Sequence, residues 1–169
     1  MDSETKLDVA CLAYDGGSGS SDIIDENILA ILTFELTQAS LLREGGYTVC
    51  YRMAASTSLC TPGRMSLLSA LGVDIQHIYS NPSGLIPLIQ VDSIYAAFRN
   101  TTGRYFLGLD GDTTFLRPFC HDIVSALDED LGDIAMAPEC GSTGIFPFTN
   151  FNCGFLFIKR SDLMHALLC

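Results

Sequence analysis

The stretch Tyr105-Phe106-Leu107-Gly108-Leu109-Asp110-Gly111-Asp112 decides how this chain is read. Its first five residues carry no charge and show no alternation of apolar with polar side chains. A strand with one face in water alternates with a period of two, so an unbroken apolar run marks a strand covered on both faces, as in the middle of a parallel sheet. The run stops on two carboxylates separated by one glycine.

Outward from that strand, apolar runs and helical patterns take turns. Val9 to Ala13 reads as a first buried strand. Asp25 is expected to cap a helix from Glu26 to about Glu44, with Ile28, Ile31, Leu32, Leu36 and Ala39 on one face and Gly45-Gly46 as its stop. Tyr47 to Arg52 reads as a second strand, Pro62 to Leu71 as a helix closed by Gly72, and Val73 to Tyr79 as a third strand. Asn81-Pro82-Ser83-Gly84 is a turn, and a helix is expected from Leu85 to about Asn100 with Pro87 in or before its first turn. Beyond the two carboxylates, Phe119 to Leu131 is helical, with Pro118 ahead of it and Gly132 behind it. Ile134 to Ala137 and Phe155 to Ile158 read as further strands, and Ser161 caps a last short helix. This order predicts one α/β domain over residues 1–169: a doubly wound, mostly parallel sheet with helices on both faces.

Composition narrows the function classes. Hydrophobic residues make up 48% of the 169 and charged residues 17%, which gives a chain of this length a full core. Nine Lys and Arg face twenty Asp and Glu, a formal charge of −11. That balance excludes binding along a nucleic-acid backbone and docking on an anionic membrane, both of which need a basic footprint. An anionic ligand would have to be neutralised locally, by a metal ion or a few placed cations. The longest charge-free stretch, Cys140 to Ile158, is interrupted by Ser142, Thr143, Pro147, Thr149, Asn150 and Asn152, so no membrane segment is expected. The opening Met1-Asp2-Ser3-Glu4 is acidic, without an apolar leader. The chain reads as soluble, cytoplasmic or, if an anchor or signal is missing from it, lumenal in the Golgi. Seven scattered cysteines lack metal spacing and read as reduced, buried thiols.

In a doubly wound sheet, ligands bind at the carboxyl ends of the strands. Asp110-Gly111-Asp112 stands at such an end. Two carboxylates that close repel each other and resist desolvation, and a divalent cation relieves both costs. Hard oxygen ligands suit Mn²⁺ or Mg²⁺, which take one or two carboxylates and fill their remaining positions with water and phosphate. Gly111 is expected to let a ligand approach the backbone closely.

At this point the residues resemble a family. Tyr105 to Pro118, YFLGLDGDTTFLRP, is similar to the strand and D-x-D motif of GT-A fold glycosyltransferases, the nucleotide-diphospho-sugar transferases. Asn152-Cys153-Gly154 and the strand after it resemble that fold's N-x-G strand. The resemblance implies a UDP- or GDP-sugar donor and an unnamed acceptor. It implies that Asp112 is a direct metal ligand and that Asp110 meets the nucleotide ribose, or the metal through water. Asn152 would face the donor sugar, Arg99 the diphosphate, and Tyr14 the base. No catalytic base is selected among Asp15, Asp92 and Glu139. Family domains usually continue well past the N-x-G strand, so the expectation is a donor-binding portion whose acceptor-binding half lies outside this chain.

Three other readings share parts of the pattern. Asp110-Gly111-Asp112-Thr113-Thr114 fits the D-x-D-x-T motif of haloacid dehalogenase phosphatases, which need a Lys and an acidic pair downstream. A sugar-nucleotide-forming nucleotidyltransferase would use a basic phosphate loop, whereas Gly16-Gly17-Ser18-Gly19 has neither Lys nor Arg. A truncated, non-catalytic GT-A-like domain is the third.

Overall fold

The computed structural model of the chain describes residues 6–13, 22–56, 59–78, 96–129, 132–138, 151–162 and 164. Among these residues six strands form one sheet: β1 (Lys6–Ala13), β2 (Thr48–Ser56), β3 (Val73–Ile78), β4 (Tyr105–Leu109), β5 (Ile134–Pro138) and β6 (Phe151–Lys159). They lie in the order β3-β2-β1-β4-β6-β5. β3, β2, β1 and β4 are parallel neighbours, while β6 enters between β4 and β5 and runs antiparallel to both. The mostly parallel sheet agrees with the sequence expectation. The antiparallel β6 is the departure from a fully parallel order, because strand direction is set by the connection and not by the apolar run itself.

β4 is buried at every position, as its unbroken apolar run requires. Helices cover both faces. On one side Leu7, Val9, Cys11 and Ala13 of β1 join Tyr51, Met53 and Leu107 in the larger core. That core is closed by α1 (Asp22–Phe34), α2 (Ser40–Glu44), α3 (Pro62–Ala70) and α5 (Cys120–Asp128). On the other side Ala10, Phe106 and Ile158 pack against Met164 and against Phe98 of α4, helical over 96–100. No helix among the described residues is long and apolar enough to cross a membrane.

The first helix departs from expectation in three ways. It begins at Asp22, so Asp25 lies inside its first turn and does not cap it. The Asp25 carboxylate instead accepts two hydrogen bonds from Arg64 of α3, at 2.9 and 2.7 Å. The buried stripe is Ile24, Ile28, Ile31 and Phe34, and Leu36 is 79% exposed. Stepping by four from Leu32 drifts off a face with a 3.6-residue repeat. Third, the helix is not continuous: Glu35–Ala39 forms a π turn between α1 and α2. The wider turn leaves both Gln38 and Ala39 buried. Other expected features hold. Gly46 takes a positive φ where the helix stops, and the Ser161 hydroxyl accepts a hydrogen bond from the Met164 amide at 3.2 Å as an N-cap should. Cys11, Cys50, Cys60 and Cys120 are free thiols, with Cys11 and Cys120 fully enclosed.

Candidate functional site

β1, β2 and β4 end together on one edge of the sheet, and Asp110 to Asp112 follow directly from β4. The Asp110 carbonyl accepts from the Thr113 amide at 3.1 Å, which closes a tight turn around the motif. Asp110 is half-buried and Asp112 exposed, so the second carboxylate is open to solvent while the first is partly held by the protein.

Gly111 is buried, and the reason for glycine there differs from the sequence expectation. A Cβ on Gly111 would lie 2.3 Å from Nδ2 and 2.9 Å from Cγ of Asn27, so that space is filled by a protein side chain and not left to a ligand. Asn27 sits on α1, fully buried; its Nδ2 donates to the carbonyls of Leu12 (3.1 Å) and Ile23 (2.7 Å). It thereby ties the end of β1 to the turn that carries the two carboxylates. Among the described residues its Oδ1 has no hydrogen-bond partner, and neither does the buried Ser56 hydroxyl at the end of β2. Buried polar atoms without partners are uncommon, and two of them lie along the strand-end edge where a doubly wound sheet receives its ligand.

β6 reaches the same edge. Leu109 is paired with Phe155, so the antiparallel register brings Asp110 beside Gly154. A register irregularity opposite Met136 and Ala137 then pairs Ala137 with Asn152. The backbone of Asn152-Cys153-Gly154 therefore enters the sheet next to the D-x-D turn; the Asn152 side chain lies outside the described residues. Tyr14, Asp15, Asp92 and Glu139 lie outside them as well.

Arg99 is exposed on α4, next to Phe98, whose ring lies 4.1 Å beneath the Arg160 guanidinium. Arg160 follows β6, and its amide donates to the Arg104 carbonyl at 2.8 Å, just ahead of β4. The Phe98–Arg160 contact thus lies at the end of the sheet where β4 begins, and Asp110 at the end where it finishes. Lys159, the only Lys after the motif, is likewise at the far end: it pairs with Tyr105 and its ammonium donates to the Leu127 carbonyl at 2.7 Å. The phosphatase reading requires a Lys at the motif, and this one is held elsewhere.

Among the described residues no three His, Cys, Asp or Glu side chains gather around one point. Among these residues Asp110 and Asp112 would supply two protein ligands. That donor set fits Mn²⁺ or Mg²⁺, which complete their shells with water and substrate phosphate, and does not fit a structural zinc. Beside the turn, a groove of about 350 Å³ runs past Thr113 and Thr114 between Phe115, Phe119, Met136 and Phe155. None of the residues lining it is basic, so it suits an apolar ring face and not a phosphate. Arg64, following the end of β2 and paired with Asp25, is a cation near this edge that sequence reasoning passed over; the guanidinium holds the Asp25 carboxyl below its ordinary range. Asn27 was also missed, although a polar residue between Ile24 and Ile28 on an apolar stripe is a readable signal.

No protein-family model matches the chain, and no curated protein is detectably similar in sequence. Solved structures are similar in fold. Mouse xyloside xylosyltransferase 1 in its apo form superposes with a TM-score of 0.56 at 9% identity, over 97% of this chain and 72% of that one. The glycosyltransferase GlyE of Streptococcus pneumoniae gives 0.54 at 15% identity, over 99% of this chain and 37% of that one. CMP:2-keto-3-deoxy-manno-octonic acid synthetase, complexed with CTP, gives 0.50 at 10% identity, over 97% and 78%. The chain therefore has a GT-A-like fold, the architecture of glycosyltransferases that is shared with a nucleotidyltransferase. It spans a little over a third of GlyE.

Proposed function

We propose that this chain is the donor-binding part of a metal-dependent glycosyltransferase. One observation carries the reading: a D-x-D turn on the carboxyl end of a fully buried central strand, with an N-x-G backbone entering beside it on an antiparallel neighbour. Asp110 and Asp112 would hold Mn²⁺ or Mg²⁺. When bound, the metal supplies Lewis-acid stabilisation of the charge that develops on the leaving diphosphate. A chain with a formal charge of −11 has particular need of a cation to receive an anionic donor.

The reaction is sugar transfer from a nucleoside diphosphate to an acceptor hydroxyl. The acceptor oxygen bonds to the anomeric carbon as the bond to the leaving phosphate oxygen breaks; the hydroxyl proton passes to a base. Within this reading Asp110, partly enclosed, orients the ribose side of the donor, and the exposed Asp112 faces the phosphates. Asn152 contacts the donor sugar, and Tyr14 stacks on the base, UDP or GDP. The nucleotidyltransferase alternative is disfavoured by Gly16-Gly17-Ser18-Gly19, which lacks the basic residue a triphosphate needs.

Thermal unfolding against UDP and GDP, with and without Mn²⁺, tests the reading, since a ligand that binds only the folded state raises the melting temperature. Asp112→Ala removes an exposed side chain and leaves the fold intact, so it should abolish the Mn²⁺-dependent shift. A variant that binds as wild type removes the metal role. Asn152→Ala should weaken a sugar nucleotide more than the bare nucleoside diphosphate; equal losses count against contact with the donor sugar.

A further inference from the structure

We propose that Asn27, Thr33 and Gln38, three polar side chains on the α1–π–α2 helix, are positioning residues. They hold the segment from Asp110 to Cys120 in one shape and so fix where Asp112 stands. The proposal rests on the reading of Asp110 and Asp112 as the metal-facing pair.

The segment after β4 has no regular structure of its own: between Asp110 and Cys120 it is turn, bend and irregular backbone. Such a stretch needs its amides and carbonyls satisfied from outside. The helix supplies partners at three points spaced along it. Asn27 packs directly on Gly111, between the two carboxylates. The Thr33 hydroxyl accepts from the Phe115 amide at 3.3 Å and itself donates to the Ala30 carbonyl. The Gln38 amide makes the largest contribution. Its Nε2 donates to the Arg117 carbonyl at 2.7 Å, and its Oε1 accepts from the amides of Phe119 (2.9 Å) and Cys120 (3.1 Å). One buried side chain thus satisfies a carbonyl near the end of the irregular segment and the amides that open α5. It is 1% exposed, and losing it leaves those backbone groups unpaired in the interior.

The π turn explains how one helix reaches all three points. Gln38 lies inside Glu35–Ala39, where the wider turn interrupts the regular repeat. Single π turns of this kind cluster at functional sites. The Arg43 guanidinium, hydrogen-bonded to Glu35 at 2.9 Å through Nη2, and the Tyr51 hydroxyl, which donates to the same carboxylate, brace the turn from its outer side. The metal-facing turn is therefore supported from a rigid helix and not left to the loop.

Two measurements on the full chain test this. The first is Mn²⁺ binding in the presence of UDP. The second is amide hydrogen exchange of the ligand-free protein. Gln38→Ala should weaken Mn²⁺ binding about tenfold, the lower range for partners one step removed from a metal ligand. It should also speed exchange at Gly111, Asp112 and Thr113, four or more residues from the bonds removed, with β1 and β2 protected as before. Gln38→Glu keeps the acceptor for Phe119 and Cys120 and should recover most of both. Unchanged exchange at Gly111 to Thr113 in Gln38→Ala overturns the proposal. A wild type that binds no Mn²⁺ with UDP sinks the donor-site reading, and the exchange comparison still decides the positioning role. If Gln38→Ala fails to fold, the near-isosteric Thr33→Val removes the acceptor of Phe115 together with a bond to the Ala30 carbonyl inside the helix itself. Faster exchange from Asp112 to Phe115 then supports the clamp, and unchanged exchange refutes it.

Discussion

Replacing Gly111 by alanine probes the contact on which the site is built. The new Cβ would fall 2.3 Å from Asn27 Nδ2, where ordinary contact begins about an ångström farther out. Gly111 does not have a positive φ, so the backbone itself tolerates alanine and the whole cost is steric. Asn27 cannot turn aside freely, because its Nδ2 is anchored to the Leu12 and Ile23 carbonyls and the residue is fully buried. Overpacking a filled interior costs about 1–3 kcal/mol, and weakening one or both anchoring hydrogen bonds adds about 1 kcal/mol each. The expected destabilisation is about 2–5 kcal/mol. For a chain of this size each kilocalorie lowers the melting temperature by about 2–4 °C. Urea unfolding of wild type, Gly111→Ala, Asn27→Ala and the double variant forms a cycle. With Asn27 cut back to alanine the Cβ has room, so Gly111→Ala should cost less than about 1 kcal/mol there, a coupling of about 2 kcal/mol. The same cost in both backgrounds, or a single variant within about 0.5 kcal/mol of wild type, refutes the reasoning.

Two further outcomes follow from charge and burial. The Arg43 guanidinium and the Tyr51 hydroxyl hydrogen-bond to Glu35 and hold its carboxyl below its ordinary range. The carboxylate's contribution to stability is therefore full above the unfolded value, about pH 4.3, and is lost as pH falls through the lower folded value. Denaturant stability between pH 6 and about pH 3 should fall more steeply in wild type than in Glu35→Gln; parallel curves would show that the cluster does not hold Glu35 ionised. Burial pushes the Cys11 and Cys120 thiols up to about 12, so iodoacetamide at pH 8 should leave both unmodified in the native protein and label them after unfolding. Native labelling at either position, read by peptide mass spectrometry, would contradict the packing around them.

The sequence by itself determined the sheet and the position of the carboxylate pair. β4 matches Tyr105 to Leu109 residue for residue, because a strand covered on both faces must be apolar throughout, and that pattern is local. The helix stops at Gly45-Gly46 and Gly72 and the cap at Ser161 were legible for the same reason: each is settled within a turn of chain. What lies next to what was not legible. The antiparallel entry of β6, the π turn, and the separation of Lys159 from the motif are facts of long-range pairing. Asn27 and Gln38 show the limit most plainly. In the sequence they are two amides on an apolar helix, some eighty residues from the motif they support. Only the packing of that helix against the end of β4 turns Gly111 from a gap for a ligand into a seat for Asn27, because steric exclusion acts between neighbours in space, which the order of residues does not record.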